Sequence, residues 1–263
     1  MFNYILYRLG QLIALSLPLK IAYKIAILVS DARYLFAKKD REIVRENLKA
    51  IFPEKSDKEL NRIRIATFRN FAKYLVDFFR FSKLDKEYIK NNVKVENIHY
   101  MAEALSKEKG VILTSAHLGN WELGGVIISL SGYPFWVVAL THKHKRVDDF
   151  FNFQRESKGI KVIPLGKQTV KICLNVLKEK KIVALVGDRQ FSERGVVLDF
   201  FGKPAIFPQG PAALSLKIGS PIVPGFMLRN DDDTFTFKFE KPIELSPTGN
   251  KTMDITELAR RYI

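Results

Sequence analysis

From residue 93 onward the sequence alternates between two kinds of segment, and this alternation constrains the fold more than any other feature. Short apolar runs read as strands: "GVILTS", "FWVVAL", "KVIPL", "KIVALV" and "PIVPGFML". Helical stretches separate them: "MAEALSKE", "WELGGVIISL", "VDDFFNFQRES", "QTVKICLNVLKE" and "QGPAALSLKIG". Strands linked by helical crossovers imply parallel pairing with helices on both faces. The expected fold is therefore α/β, a mostly parallel central sheet flanked by helices, with a helical N-terminal portion. "TFTFKFE" alternates with period two and reads as a half-exposed strand. Sheets of this kind bind ligands beyond the carboxyl ends of their strands. His117, His142, Asp188 and Arg189 all stand just past strand ends.

The first 90 residues have a different pattern. "REIVRENLKAIF" places Ile43, Val44, Leu48 and Ile51 on one helical face, and Pro53 stops it. Ser56 and Glu59 have the spacing of a capping box for a second helix. That helix carries Leu60, Ile63, Phe68, Phe71, Leu75 and Phe78 at helical intervals, an aromatic density suited to a core or to lining a lipid site. Upstream, Leu9 to Leu19 is free of charge, Pro18 interrupts it, and Lys20 and Lys24 follow. The run is short of the ~20 apolar residues of a clean membrane span. It reads instead as a membrane-surface helix or marginal anchor, with Phe2, Tyr4 and Tyr7 as interfacial aromatics. A buried first helix is the alternative. The expected organisation is a membrane-associating N-terminal helix over residues 1–30, a helical portion over 31–90, and an α/β body over 91–263. The final "TELARRYI" reads as a helix without a C-cap signal, so a further helical segment is expected after it.

Composition limits the partners. The net charge of +15 favours an anionic partner: nucleic acid, an acidic membrane surface, or an acidic protein or substrate. No zinc-finger, RNP or helix-turn-helix signature is visible and the lysines are dispersed, so nucleic acid is not the expected target. The single cysteine, Cys173, rules out an intrachain disulfide and lies on an amphipathic helix, where it reads as a core residue. His142-x-His144 has no carboxylate or cysteine companion at a familiar metal-ligand spacing, and neither a metal nor another cofactor is expected.

The stretch "TSAHLGNWELGG", residues 114 to 125, raises the main chemical question. Four histidines and 28 acidic residues give on the order of 0.4 chance pairs at the His117–Glu122 spacing. Spacing alone therefore decides nothing, and His144 with Asp149 repeats it. On one continuous helix, residues five apart diverge by ~140°. The pair works only if His117 lies on a loop and Glu122 opens a helix, as the strand–Gly119-Asn120–helix pattern suggests. A carboxylate in a first helical turn is stabilised as an anion by ~0.3–1 kcal/mol. It would then fix the imidazole tautomer and leave the second nitrogen to accept a proton. The rival pair is crowded by Lys143, Lys145 and Arg146, which would disfavour imidazole protonation.

"HLGNWELGG" resembles the His-x-Gly-Asn-Trp-Glu block of the bacterial lipid A late acyltransferases, within the wider glycerolipid acyltransferase group with an HxxxxD/E core. "THKHKRVDDFFNFQRESKGIKVI" is similar to that family's second block, with Asp149, Asn152 and Arg155 at the matching places. "LVGDRQFSERGVVLDFFGKPAIFPQGPAALSLKIGSPIVPGFML" resembles its third and fourth blocks, and "NLKAIFPEKSDKE" its upstream helical region. Leu118 stands where phenylalanine is usual, and Phe207 and Gln209 where threonine or small residues are common. The resemblance implies a bacterial inner-membrane protein at the cytoplasmic face. It implies transfer of a fatty acyl group from acyl carrier protein, or a CoA thioester, to a hydroxyl of a lipid A precursor. His117 would be the general base and Glu122 its orienting carboxylate, with no covalent acyl-enzyme. Arg155 would face the thioester oxyanion or bind an anionic acceptor group, with Asn120 supporting the loop or donating. Asp188 and Arg189 would shape the acceptor or acyl site, or pair with each other. The alternatives are a sibling enzyme acting on a lysophospholipid or glycolipid acceptor, and a non-catalytic membrane-binding protein on the same fold.

Overall fold

The computed structural model describes residues 1–190 and 195–263; "FSER", within the third block, lies outside the described residues. The chain divides into two compact units. One comprises Met1–Phe81 with Asp199–Ala205, the other Ser82–Leu198 with Ile206–Ile263.

The first unit is built on α1 (Phe2–Ser16), α2 (Leu19–Phe36), α3 (Lys38–Ile51) and α4 (Asp57–Phe79). The apolar N-terminal run forms two helices. Leu17, before Pro18, is extended at φ −109° and ψ 154°, as the proline ring requires of its predecessor. The Arg80 guanidinium donates to the carbonyls of Ala14 and Leu17, supplying partners for the open end of α1. The capping box at the start of α4 is present: Ser56 N–H donates to Glu59 Oε2 (2.9 Å), and Glu59 N–H to Ser56 Oγ (3.4 Å). Leu60, Phe78 and Phe81 are buried, and the Tyr23 hydroxyl donates to the Asp77 carboxylate inside the unit. Phe2, Leu9, Leu12, Leu28, Val29 and Phe36 are exposed. Among the described residues, no helix is long and apolar enough to cross a membrane.

The second unit begins with α5 (Lys86–Asn92), β1 (Val93–Glu96) and α6 (His99–Ser106). There follow β2 (Val111–Ser115), α7 (Trp121–Leu130), β3 (Phe135–Ala139), α8 (Lys145–Glu156), β4 (Lys161–Pro164), α9 (Thr169–Lys178) and β5 (Ile182–Val186). Next in the chain is a hairpin, β6 (Gly195–Phe200) and β7 (Lys203–Pro208), whose tip Asp199–Ala205 is counted with the first unit. The second unit resumes at Ile206 and continues with α10 (Gly210–Ile218), β8 (Ile222–Arg229), β9 (Phe235–Phe239) and α11 (Lys251–Tyr262). The main sheet has seven strands in the order β1-β9-β8-β2-β5-β3-β4. β8 and β9 are antiparallel, and the other neighbouring pairs are parallel. The expected mostly parallel α/β sheet with a helical N-terminal region is thus present. β2 lies at its centre, and Ile112, Val183, Ile222 and Val223 around it are fully buried, as continuous apolar strands covered on both faces should be. "TFTFKFE" supplies β9, whose alternate residues Phe235, Phe237 and Phe239 face the core. β6 and β7 form a separate two-stranded sheet.

Candidate active site

Two adjacent parallel strands position the central pair of side chains. In the β2–β5 register Ser115 is opposite Val186, and Gly187 N–H donates to the Ser115 carbonyl (2.8 Å). Two residues further along each chain stand His117 and Asp188. Asp188 holds His117 twice: Oδ2 accepts from the His117 backbone N–H (2.9 Å), and Oδ1 lies 2.8 Å from the ring Nδ1. With Nδ1 donating, Nε2 keeps its lone pair and is the basic nitrogen. The pair lies at a solvent-accessible edge, each side chain 36% exposed. The Trp121 ring meets the imidazole edge-on at 4.7 Å. Partial burial pushes the Asp188 carboxyl up, but the hydrogen bonds from the His117 side chain and backbone, with its charge, outweigh this and hold it below the usual carboxylate range.

The loop between β2 and α7 turns at Gly119, against β8. Gly119 has φ +60°, and a Cβ there would lie 1.9 Å from the Met227 carbonyl oxygen of β8. Glycine is required both by conformation and by space. The next N–H, of Asn120, donates to that carbonyl (2.9 Å). The Asn120 side chain is fully buried and caps α7, accepting from Leu123 N–H (3.1 Å). This hydrogen bond ties Asn120 to the start of α7, next to the loop that carries His117. Gly125 lets α7 approach the sheet; a Cβ there would lie 3.0 Å from the Phe135 ring.

The expected His117–Glu122 pairing is replaced. Glu122 does open α7, but its carboxylate is buried and turned to Arg155 of α8. Arg155 Nε donates to Oε1 and Oε2 (3.2 and 3.0 Å), and Nη2 to Oε1 (2.5 Å). The two side chains are about equally hidden, at 10% and 9% exposure. The physical reason is electrostatic: a carboxylate removed from water needs a charged, multiply donating partner, which a fork-shaped guanidinium supplies better than an imidazole. Arg155 also reaches Asn152, its Nη1 donating to Asn152 Oδ1 (3.2 Å), so each of its three guanidinium nitrogens has an acceptor within the protein.

This ion pair belongs to a longer network. Asn152 Nδ2 donates to Asp148 Oδ2 (3.0 Å), and Asp148 Oδ1 accepts from the His142 backbone N–H (2.8 Å). The chain of bonds ties the start of α7 to α8 and to the loop after β3. Asp148, not Asp149, is the acid that joins Asn152 and Arg155. The spacing i, i+4, i+7 puts Asp148 on their helix face, a signal present in the sequence. Asp149 turns outward to Lys145 (2.7 Å). His144, its expected rival-pair partner, is exposed. The His142 ring packs on Phe151 (4.6 Å), and burial keeps its pKa below the ordinary histidine value, against the pull of Asp148. Arg189 is exposed, and the Asp188 carboxylate is taken by His117 rather than by Arg189. Cys173 is completely buried, which pushes its thiol up to about 11. Among the described residues, no group of three or more acidic, histidine or cysteine side chains is placed to hold a metal ion.

The arrangement can remove a proton from a hydroxyl brought to Nε2 and stabilise the resulting imidazolium through Asp188. The family described as Bacterial lipid A biosynthesis acyltransferase matches residues 2–262. The chain is 27% identical over 198 residues to the phosphatidylinositol mannoside acyltransferase of Mycolicibacterium smegmatis, covering 74% of this chain and 65% of that protein. A Mycobacterium tuberculosis protein of the same name is 25% identical, over 74% of this chain and 63% of its own length. A lipid A biosynthesis acyltransferase of Haemophilus influenzae is 22% identical, over 85% and 69% respectively. The chain thus spans just under two thirds of the length of the two mycobacterial relatives.

Proposed function

Because the chain belongs to the bacterial lipid A biosynthesis acyltransferase family, we propose that it transfers a fatty acyl group from a thioester donor to a hydroxyl of a membrane glycolipid. The observation that carries this reading is the His117 imidazole just past the end of β2, its Nδ1 2.8 Å from Asp188 Oδ1; with Nδ1 as the donor, Nε2 carries the lone pair. As the acceptor oxygen attacks the thioester carbonyl, Nε2 takes the hydroxyl proton. Collapse of the tetrahedral species forms the ester and expels the thiolate, which recovers the proton from the imidazolium. A positioned base of this kind contributes ~10²–10⁴ in rate. No step requires an acyl-enzyme. Glu122 and Arg155 act as scaffold, holding the first turn of α7 and therefore the loop that carries His117.

For the acceptor, the mycobacterial relatives favour a mannosylated phosphoinositide-type glycolipid over a lipid A precursor. The Haemophilus relative keeps the lipid A precursor as the second reading. Acyl carrier protein or acyl-CoA supplies the acyl group. We place the protein at a membrane surface, because α1 and α2 expose Phe2, Leu12, Leu28 and Phe36 and the chain carries a net charge of +15.

The test is acyl transfer by the purified protein. Both donors would be offered against a phosphatidylinositol mannoside, lysophosphatidate and a Kdo-bearing lipid A precursor, with His117→Ala as control. The proposal expects a glycolipid product that His117→Ala abolishes while the fold is retained. Turnover unchanged in His117→Ala, or transfer to lysophosphatidate alone, would contradict it.

A further inference from the structure

The helical unit contains an apolar cavity of about 450 Å³. It exists because small side chains line up on neighbouring helices: Gly10 and Ala14 on α1, Ala22 and Ala26 on α2. Gly10 already sits so close to α4 that a Cβ would come within 2.9 Å of the Phe79 ring, so α1 and α4 touch here, and both residues line the cavity. The slot is not closed. Val29 and Phe71 line it and are 64% and 51% exposed. Of its few polar lining groups, Thr67 is satisfied by the Ile63 carbonyl (2.9 Å). Arg33 is largely exposed, with Asp40 at 3.3 Å as an exposed, weakly held partner.

We propose that this slot binds one acyl tail of an anionic phospholipid, with its head group at Arg33. Three observations point to that occupant. A volume of this size falls in the range of small-molecule sites, about 300–1,000 Å³, and its lining offers almost nothing to a polar ligand. Its exposed lining residues, Val29 of α2 and Phe71 of α4, are apolar, and α2 exposes further apolar side chains at Leu28 and Phe36, a surface suited to a bilayer. Residues 1–81 hold sixteen Lys and Arg against eight Asp and Glu, which favours an anionic head group over a zwitterionic one. The inference extends the membrane-surface reading above from a contacting face to a bounded lipid site, and it does not depend on the chemistry at His117.

The experiment uses the full chain incubated with vesicles of equimolar phosphatidylglycerol and phosphatidylcholine, the phosphatidylglycerol carrying a diazirine at the end of one tail. Crosslinked peptides and lipids retained in native mass spectrometry are then identified. The proposal expects one retained phosphatidylglycerol and labels concentrated on α2 and α4. Ala26→Phe should lower labelling at least tenfold while vesicle binding persists. Arg33→Glu, a change at the exposed polar rim of the slot that leaves its apolar lining in place, should abolish the preference for phosphatidylglycerol with the fold unchanged. Labels spread over the outer faces of α1 and α2 and insensitive to Ala26→Phe would overturn the site while leaving surface binding intact. Equal retention of the two lipids by the unaltered protein would overturn the head-group assignment. Failure to bind vesicles at all would remove the membrane-surface reading as well.

Discussion

Changing Glu122 to alanine separates scaffold from catalyst. The substitution leaves the Arg155 guanidinium, 10% exposed, without the carboxylate that accepts from Nε and Nη2. Removing one partner of a buried ion pair costs about 3–5 kcal/mol, because the remaining charge stays out of water. For a chain of this size each kcal/mol lowers Tm by roughly 2–4 °C, so a fall of about 6–20 °C is expected. The assay is thermal unfolding followed by circular dichroism, with acyl transfer measured well below the new midpoint. Replacing both partners, Glu122→Leu with Arg155→Met, should recover most of the lost stability, since neither charge is then buried. In the folded fraction, Glu122→Ala should retain more transfer activity than His117→Ala. An unshifted Tm together with activity as low as that of His117→Ala would refute the assignment and make Glu122 the partner of the imidazole.

Gly119→Ala would place a Cβ 1.9 Å from the Met227 carbonyl at φ +60°, so the variant should unfold at a markedly lower temperature or fail to accumulate; a soluble variant with unaltered Tm would contradict the loop geometry. His144→Ala should leave transfer unchanged, because Asp149 is engaged by Lys145. Asp188 has a pKa held below the ordinary value, so its contribution to stability is present above the unfolded carboxylate range and is lost as pH falls through the folded value. The Tm difference between the wild type and Asp188→Asn should therefore shrink between pH 5 and pH 2.5, as read by unfolding curves across that window.

The fold was legible because its signals are local and repeated. Apolar strand runs, intervening amphipathic helices, Pro18, Pro53 and the Ser56–Glu59 box each act within a few residues of where they stand. The site was half legible. His117 was recognisable because a strand runs directly into it, and Gly119-Asn120 read as the turn they make. The partner of His117 was not, because the choice between Glu122 and Asp188 depends on which strands are neighbours. Once β5 is placed beside β2 with Ser115 opposite Val186, Asp188 falls opposite His117 by counting. Glu122 is drawn away by Arg155, 33 residues distant, a contact that no spacing within the His-x-x-x-x-Glu block encodes. Asp148 was masked by its neighbour Asp149; the face shared with Asn152 and Arg155 distinguishes them. The β6–β7 hairpin left only its glycines as a trace, with Gly202 at φ +73° in the turn.

The most direct measurement is the single-turnover rate of acyl transfer by Asp188→Asn at a temperature where it is fully folded. With the carboxylate gone, the imidazole loses the group that selects its tautomer and stabilises its cation. The rate should fall by ~10²–10⁴, the full contribution of a positioned base. A rate equal to wild type would show that the proton leaves by another route and that the His117–Asp188 pair is not the catalytic unit.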